Sequence, residues 1–162
     1  EAIAALKLVN SVNPSQPSAI LDVYGPIADG YEHIFESLIK ECSHANYLGI
    51  LPPEKAYDIL EKYNLMLFPT YYEGEGFPGT VVDAFISGLP VIATDWKYNR
   101  EIIEAGKTGV LCKPKSVDDL AAKINQFIST PFLITEMSEN CILKANEFHS
   151  DHAIGLLLDR RS

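Results

Sequence analysis

With 162 residues, 47% of them hydrophobic, the chain can bury the core of one domain and lacks the composition of a disordered segment. A formal charge of -9 excludes the basic face that a phosphate-backbone binder carries, so no nucleic acid partner is expected. No apolar run reaches the roughly 18 residues of a membrane helix, so no span is expected either.

Residues Glu1 to Val9 read as the middle of an amphipathic helix, with Ile3, Leu6 and Val9 on one side and Lys7 opposite. A chain that opens inside such a pattern, on Glu1, is expected to be a fragment with structured residues before it. Ser18 to Tyr24 is a strand candidate ending at Gly25-Pro26. Tyr31 to Cys42 follows as a helix with Ile34, Phe35, Leu38 and Ile39 inward. A short strand covers Ala45 to Leu48. Pro53 stands at the first position of a helix over Glu54 to Tyr63, and Leu65 to Pro69 reads as a buried strand. Thr80 to Ser87 is a short helix stopped by Gly88, Pro90 to Thr94 a buried strand, Arg100 to Glu104 a helical turn and Gly109 to Cys112 a strand. Ser116 can cap a helix whose apolar face is Val117, Leu120, Ala121, Ile124, Phe127 and Ile128, with Asp118 and Asp119 in its first turn. Thr130-Pro131 breaks that helix. Another runs from Leu133 to Glu147, and the tail over 148–162 holds a last short helix from Ser150 to Asp159.

Strand and helix units of this length imply a parallel sheet with helices on both faces, because parallel strands need crossovers and right-handed crossovers lie outside the sheet. The fold class is therefore α/β, a doubly wound, Rossmann-like parallel sheet in a single domain over 1–162. Ligands of such sheets sit beyond the carboxyl ends of the strands, where loops enter helices. The loop from Glu73 to Gly79 lies at such a place. Gly74, Gly76 and Gly79 let the backbone approach a ligand, and N–H groups near Gly79, Thr80 and Val81 can receive an anion at the positive end of the helix. An ordinary glycine turn accounts for the same residues equally well.

Asp83 is the lone charge among Val81, Val82, Ala84, Phe85 and Ile86, so it must meet a partner or face a cleft. It can accept two hydrogen bonds from a vicinal diol, or simply stabilise the first turn of its helix. Glu75 is flanked by glycines and followed by Phe77-Pro78, which exposes its carboxylate. Glu73, two residues earlier, is the competing candidate.

The spacing from Glu75 to Asp83, with Gly76-Phe77-Pro78 after the first acid and DAFISGLPVIATD from Asp83 to Asp95, resembles the nucleotide-sugar-binding half of the GT-B retaining glycosyltransferases of family 4, group 1. Their mark is E-x7-E, and here Glu75 through Asp83 reads E-x7-D. Glu73 cannot take the first place, since the residue eight on is Val81. REII at Arg100 to Ile103, GKTGVLCKP at Gly106 to Pro114, DVYGP at Asp22 to Pro26 and the tail FHSDHAIGLLL extend the likeness over nearly the whole chain.

The resemblance implies the C-terminal half of a GT-B fold, a nucleotide-diphosphate sugar as donor substrate, and transfer with retention to a saccharide or lipid acceptor without metal or other cofactor. It implies that Glu75 is the catalytic carboxylate contacting the transferred sugar, and that Asp83 takes the ribose hydroxyls. Backbone at Gly76, Phe77, Pro78, Gly79 and Thr80 would face sugar and diphosphate, Pro78 having no N–H to give. The base would rest near Gly25, Pro26 and Leu51. The N-terminal acceptor-binding domain that precedes this half in the family is not in the chain, nor are the Arg and Lys that neutralise the diphosphate just upstream. The isolated piece is thus expected to bind donor weakly and transfer little. A cytoplasmic location is expected, with membrane association a property of the missing domain.

Two positions depart from the family pattern. Asp83 is one methylene shorter than the usual glutamate. Trp96-Lys97-Tyr98-Asn99 replaces a loop that usually holds a Gly-Gly pair, making Lys97 and Arg100 candidates for the phosphates, with solvated surface the plainer role. Cys42, Cys112 and Cys141 lack metal-ligand spacing and read as reduced thiols, and His33, His44, His149 and His152 are scattered. Three other functions fit less of the sequence. A GT-B nucleotide-sugar epimerase shares the architecture but not these motifs, a non-catalytic sugar-nucleotide sensor would need the loop alone, and a receiver-like domain would need acids clustered after Asp22.

Overall fold

The computed structural model describes residues 1–11 and 18–148. In chain order the elements are helix α1 (Ala2–Asn10), strand β1 (Leu21–Val23), α2 (Glu32–Lys40), β2 (Ala45–Tyr47), a 3-10 turn at Pro53–Lys55, α3 (Ala56–Leu60), β3 (Met66–Phe68), α4 (Gly79–Ile86), β4 (Val91–Thr94), α5 (Asn99–Ile102), β5 (Gly109–Cys112), α6 (Val117–Ser129) and α7 (Phe132–Ala145). Every strand pair is parallel. The expected helix over Ser150 to Asp159 lies outside the described residues.

The α/β class holds, with one refinement: among the described residues the strands form two sheets, β1-β2 and β3-β4-β5. Strand β4 is central in the second sheet and fully buried, because it is paired on both edges and covered on both faces. Its side chains alternate accordingly. Ile92 points into a cluster with Ala5, Val9, Leu120, Ile124 and Phe127 from α1 and α6. Val91 and Ala93 point the other way, among Leu60, Val81, Ala84, Phe85 and Cys141 from α3, α4 and α7. Helices on both faces are the doubly wound arrangement anticipated from the crossovers.

Where the structure departs from the sequence reading, pairing and packing explain it. Strand β3 is half-buried rather than buried, since β4 is its one described strand neighbour. Helix α2 carries no fully buried residue: Phe35, Leu38 and Ile39 pack partly against Ile3, Leu6, Cys42 and Ala45, whereas Ile34, expected inward, is 53% exposed. The segment Glu54 to Tyr63 divides into the 3-10 turn and the five-residue α3.

The strand expected over Ser18 to Tyr24 is confined to Leu21–Val23 and the turn expected over Arg100 to Glu104 to Asn99–Ile102, whereas the capping signals match the structure. Ser116 caps α6, its Oγ accepting from the Asp119 N–H at 3.3 Å, and the Asp119 carboxylate in turn accepts from the Lys113 N–H at 2.7 Å. Gly88, at φ 66°, ends α4 with paired bonds from Gly88 N–H to Phe85 O and from Leu89 N–H to Ala84 O. Buried Asn10 accepts from the Ser18 and Ala19 N–H groups and donates to Ala19 O, which ties the end of α1 to the approach to β1.

All three cysteines are free and buried. Burial pushes the Cys112 thiol up to about 11 and the Cys141 thiol up to about 12. In the unfolded chain a thiol ionises near 8.5. Above that pH the unfolded state therefore binds fewer protons than the native state, and stability falls as pH rises from about 8.5 towards 11. The expected loss between pH 8 and pH 10 is roughly 2–4 kcal/mol for the two thiols together, read from urea midpoints. Thiol alkylation at pH 8 should stay slow until the chain is unfolded.

Candidate functional site

The loop that leaves β3 and enters α4 is anchored from beneath by a run of short polar residues. At the end of β4, Thr94 donates from its buried hydroxyl to Thr70 O, while Asn99 Nδ2 donates to Thr94 O at 2.9 Å. Thr70 Oγ1 donates to Glu75 Oε2 at 2.9 Å and accepts from the Tyr72 N–H at 3.3 Å. The Glu75 N–H closes the turn on Tyr72 O at 3.1 Å. Glu75 is thus half-buried with one carboxylate oxygen held and the other open. Charge-assisted bonds of this kind are the stronger class, so the carboxylate is oriented as well as exposed.

The same loop is strapped from the side by the segment after β4. Trp96 Nε1 donates to Tyr72 O at 3.1 Å, and Lys97 Nζ donates to Glu73 O and lies 3.8 Å from its carboxylate. Lys97 has a left-handed φ of 44°, a conformation that surrounding contacts must sustain in a non-glycine residue. Arg100 forks onto Asp95. Both cations considered for the phosphates are therefore engaged with neighbouring acids, and Glu73 serves as an anchor for Lys97.

The amides at the start of α4 differ from the sequence expectation. The Gly79 N–H donates to Phe77 O at 3.0 Å and the Val81 N–H to Pro78 O at 2.9 Å, so neither points outward unpaired. Among the described residues the backbone N–H groups of Gly76, Phe77 and Thr80 have no acceptor. Those three are the available donors. Pro78 is buried as the residue before α4, and the Phe77 ring stands 62% exposed, edge-on to Phe148. A Cβ built on Gly76 or Gly79 meets no protein atom within 4 Å, and neither glycine has a positive φ. Room in front of the backbone, not turn geometry, is what glycine supplies at these two positions.

Asp83, one turn into α4, is half-buried, and its Oδ1 lies 3.4 Å from the hydroxyl of Tyr57 on α3. Leu51 packs against the cluster of Val81, Ala84 and Phe85. Gly25 and Pro26 line a cleft of about 130 Å3 at the carboxyl end of β1 with Tyr24, Tyr31, Phe35 and Tyr47. Gly25, at φ 132°, donates its N–H to Gly49 O at 2.9 Å, and Tyr47 donates to Gly25 O at 2.8 Å, so the two strand ends are joined.

Behind this cleft, Asp22 accepts from Tyr63 at 2.7 Å and from Asn46 at 2.8 Å, and the Tyr24 and Tyr63 hydroxyls meet at 2.8 Å. Burial and these partners push the Tyr63 phenol far above its ordinary value, so it stays protonated as a donor. Thr70, Thr94 and Tyr57 were missed in the sequence, because nothing in a lone Thr or Tyr distinguishes a support from a surface residue, and Trp96 and Lys97, singled out as a departure from the family loop, prove to strap the loop between β3 and α4 instead. For Thr70 and Thr94, positions at or just beyond the ends of β3 and β4 were the one available signal.

Over residues 1–148 the sequence matches the family described as glycosyl transferases group 1. The chain belongs to that family. Among curated relatives, this group 1 member is 27% identical over 165 residues to the D-inositol 3-phosphate glycosyltransferase of Gordonia bronchialis, a match spanning 98% of the chain and 36% of the relative. It thus spans about a third of such a relative's length. Solved structures agree in fold. Anabaena Alr3699/HepE in complex with UDP and glucose superposes with a TM-score of 0.78 at 18% identity, over 99% of this chain and 44% of that one. The pneumococcal O-GlcNAc transferase GtfA in complex with UDP and GlcNAc gives 0.77 at 23% identity, over 98% and 31%. The fold of this group 1 member is accordingly that of GT-B glycosyltransferases. No helix among its described residues is long and apolar enough to cross a membrane.

Proposed function

We propose that this chain is the donor-binding domain of a retaining glycosyltransferase, holding a nucleoside diphosphate sugar against the loop 73–79 and the start of α4. One observation carries the reading: two accessible carboxylates, Glu75 and Asp83, flank the unpaired amides of Gly76, Phe77 and Thr80 and the open space before Gly76 and Gly79. Glu75, oriented by Thr70, accepts from hydroxyls of the transferred sugar. Asp83 accepts from the ribose diol. The three amides face the sugar and diphosphate, Thr80 at the positive end of α4. The base rests towards Leu51 and the loop of Gly25 and Pro26.

Transfer breaks the bond from the anomeric carbon to the diphosphate oxygen and forms one to an acceptor hydroxyl oxygen, with retention, the hydroxyl proton passing to the leaving diphosphate. Charge develops on the leaving diphosphate, and oriented amides lower that barrier because they need not reorganise as it forms. Lys97 and Arg100 are engaged with acids, so the remaining neutralisation falls to basic residues upstream of α1 in the full-length protein. An acceptor-binding domain of the same protein presents a saccharide or lipid acceptor. The donor carries the activated sugar, and no metal or other cofactor enters the scheme. The proposed setting is the cytoplasm and the process polysaccharide biosynthesis.

Titration of the chain with UDP-, GDP- and ADP-sugars by calorimetry tests the reading. Saturable binding of at least one donor is expected, weakened by Glu75→Ala and by Asp83→Ala. Binding of every donor unchanged in both variants would overturn the site. Rapid transfer to an acceptor by the isolated chain would overturn its division of labour with the missing domain.

A further inference from the structure

The carboxylate of Asp83 has one side-chain partner among the described residues, the hydroxyl of Tyr57. This residue lies on α3, where Ala56 and Leu60 are buried and Leu60 packs with Val81, Ala84 and Phe85 of α4. The packing of α3 against α4 thereby fixes the height of Tyr57 over Asp83, while the ring itself remains 47% exposed. An exposed phenol needs no partner, so burial does not force the pairing, and at 3.4 Å the bond is a long one that leaves both oxygens room for a ligand hydroxyl.

The chemistry of the pair accounts for it. An aspartate reaches less far than a glutamate and can turn its carboxylate about the terminal torsion, which weakens a two-point grip on a diol. A phenol donating to Oδ1 orients the carboxylate and leaves the Oδ2 lone pairs for a ligand hydroxyl. The phenol oxygen is itself an acceptor. Together the two side chains offer acceptors to both hydroxyls of a vicinal diol, which a short aspartate alone does less well.

We propose that Tyr57 is a specificity-determining binding residue that makes this site selective for a ribonucleoside diphosphate over its 2′-deoxy counterpart, by completing with Asp83 the receptor for the ribose diol. The inference rests on the donor-site reading above. A ligand lacking the 2′-hydroxyl leaves an oriented acceptor without its donor, and sites built to receive a hydroxyl reject analogues that lack it.

The test uses the tightest binder among UDP, GDP and ADP together with its 2′-deoxy form, titrated by calorimetry into the chain and its variants. The unsubstituted chain is expected to prefer the ribonucleotide by about 10-fold or more, and Tyr57→Phe to lose roughly 3- to 10-fold in affinity for it, the range of an ordinary hydrogen bond, in keeping with the 3.4 Å contact. Affinity for the deoxynucleotide should stay within about twofold, so the preference collapses while the melting temperature holds. In an Asp83→Ala background Tyr57→Phe should have no further effect. An unchanged preference in Tyr57→Phe, or an equal loss for both nucleotides, would overturn the inference and leave the donor site standing. Failure of the unsubstituted chain to bind any of the three would remove both.

Discussion

Asp83→Ala is expected to weaken binding of a nucleoside diphosphate sugar by about 10- to 100-fold, the effect of removing one charge-assisted acceptor worth about 1.5–3 kcal/mol. The carboxylate stands one turn into α4, with the hydroxyl of Tyr57 on α3 lying 3.4 Å from its Oδ1. Deleting it should leave stability nearly unchanged, because Asp83 is half-buried and makes no ion pair among the described residues. Calorimetric affinity and the urea midpoint, measured on the same preparation, separate the two effects. A fall in midpoint matching the loss of affinity would mean that Asp83 supports the fold rather than the ligand.

Gly109→Ala is expected to be the most damaging single methyl group that can be added to this chain. The residue opens β5 opposite Val91, and an added Cβ would lie 2.0 Å from Val91 O and 2.9 Å from Val91 C. The obstacle is backbone of the central, fully buried strand, which cannot swing aside as a side-chain tip could. Relief requires opening the ladder between β4 and β5, including the bond from Val91 N–H to Thr108 O. A loss of about 3 kcal/mol or more is expected, a large share of the roughly 5–15 kcal/mol that holds a domain of this size. Denaturant titration with an unchanged slope and a lowered midpoint is the readout. Gly79→Ala is the contrast: its Cβ meets nothing within 4 Å and its helical position favours alanine, so stability should hold while donor binding falls.

These two glycines illustrate how unevenly the chain could be read in advance. Glycines 76 and 79 stood out because they interrupt a strand-to-helix passage beside two acids, and the structure finds open space before both. Gly109 gave no such signal. It lies in an apolar strand pattern, and only the register opposite Val91 shows why a methyl group is forbidden there. The amides were half legible. The helix start pointed to Gly79, Thr80 and Val81, but Gly79 and Val81 close local turns, while Gly76 and Phe77, which the family resemblance included, keep unpaired amides among the described residues. Turn hydrogen bonding depends on dihedral angles that several sequences share.

By itself the sequence determined the α/β class, the order of elements, the Ser116 cap and the Gly88 stop. These are local or periodic properties, set by side-chain alternation, capping chemistry and residue counts. Only the tertiary structure decided that the strands divide into two sheets, that Ile34 faces solvent, that Thr94 and Thr70 orient Glu75, that Lys97 and Arg100 are held by acids and that Tyr57 meets Asp83. Each of these joins residues brought together by strand pairing or helix packing, or depends on what such packing leaves uncovered. No local pattern of residues encodes those distances.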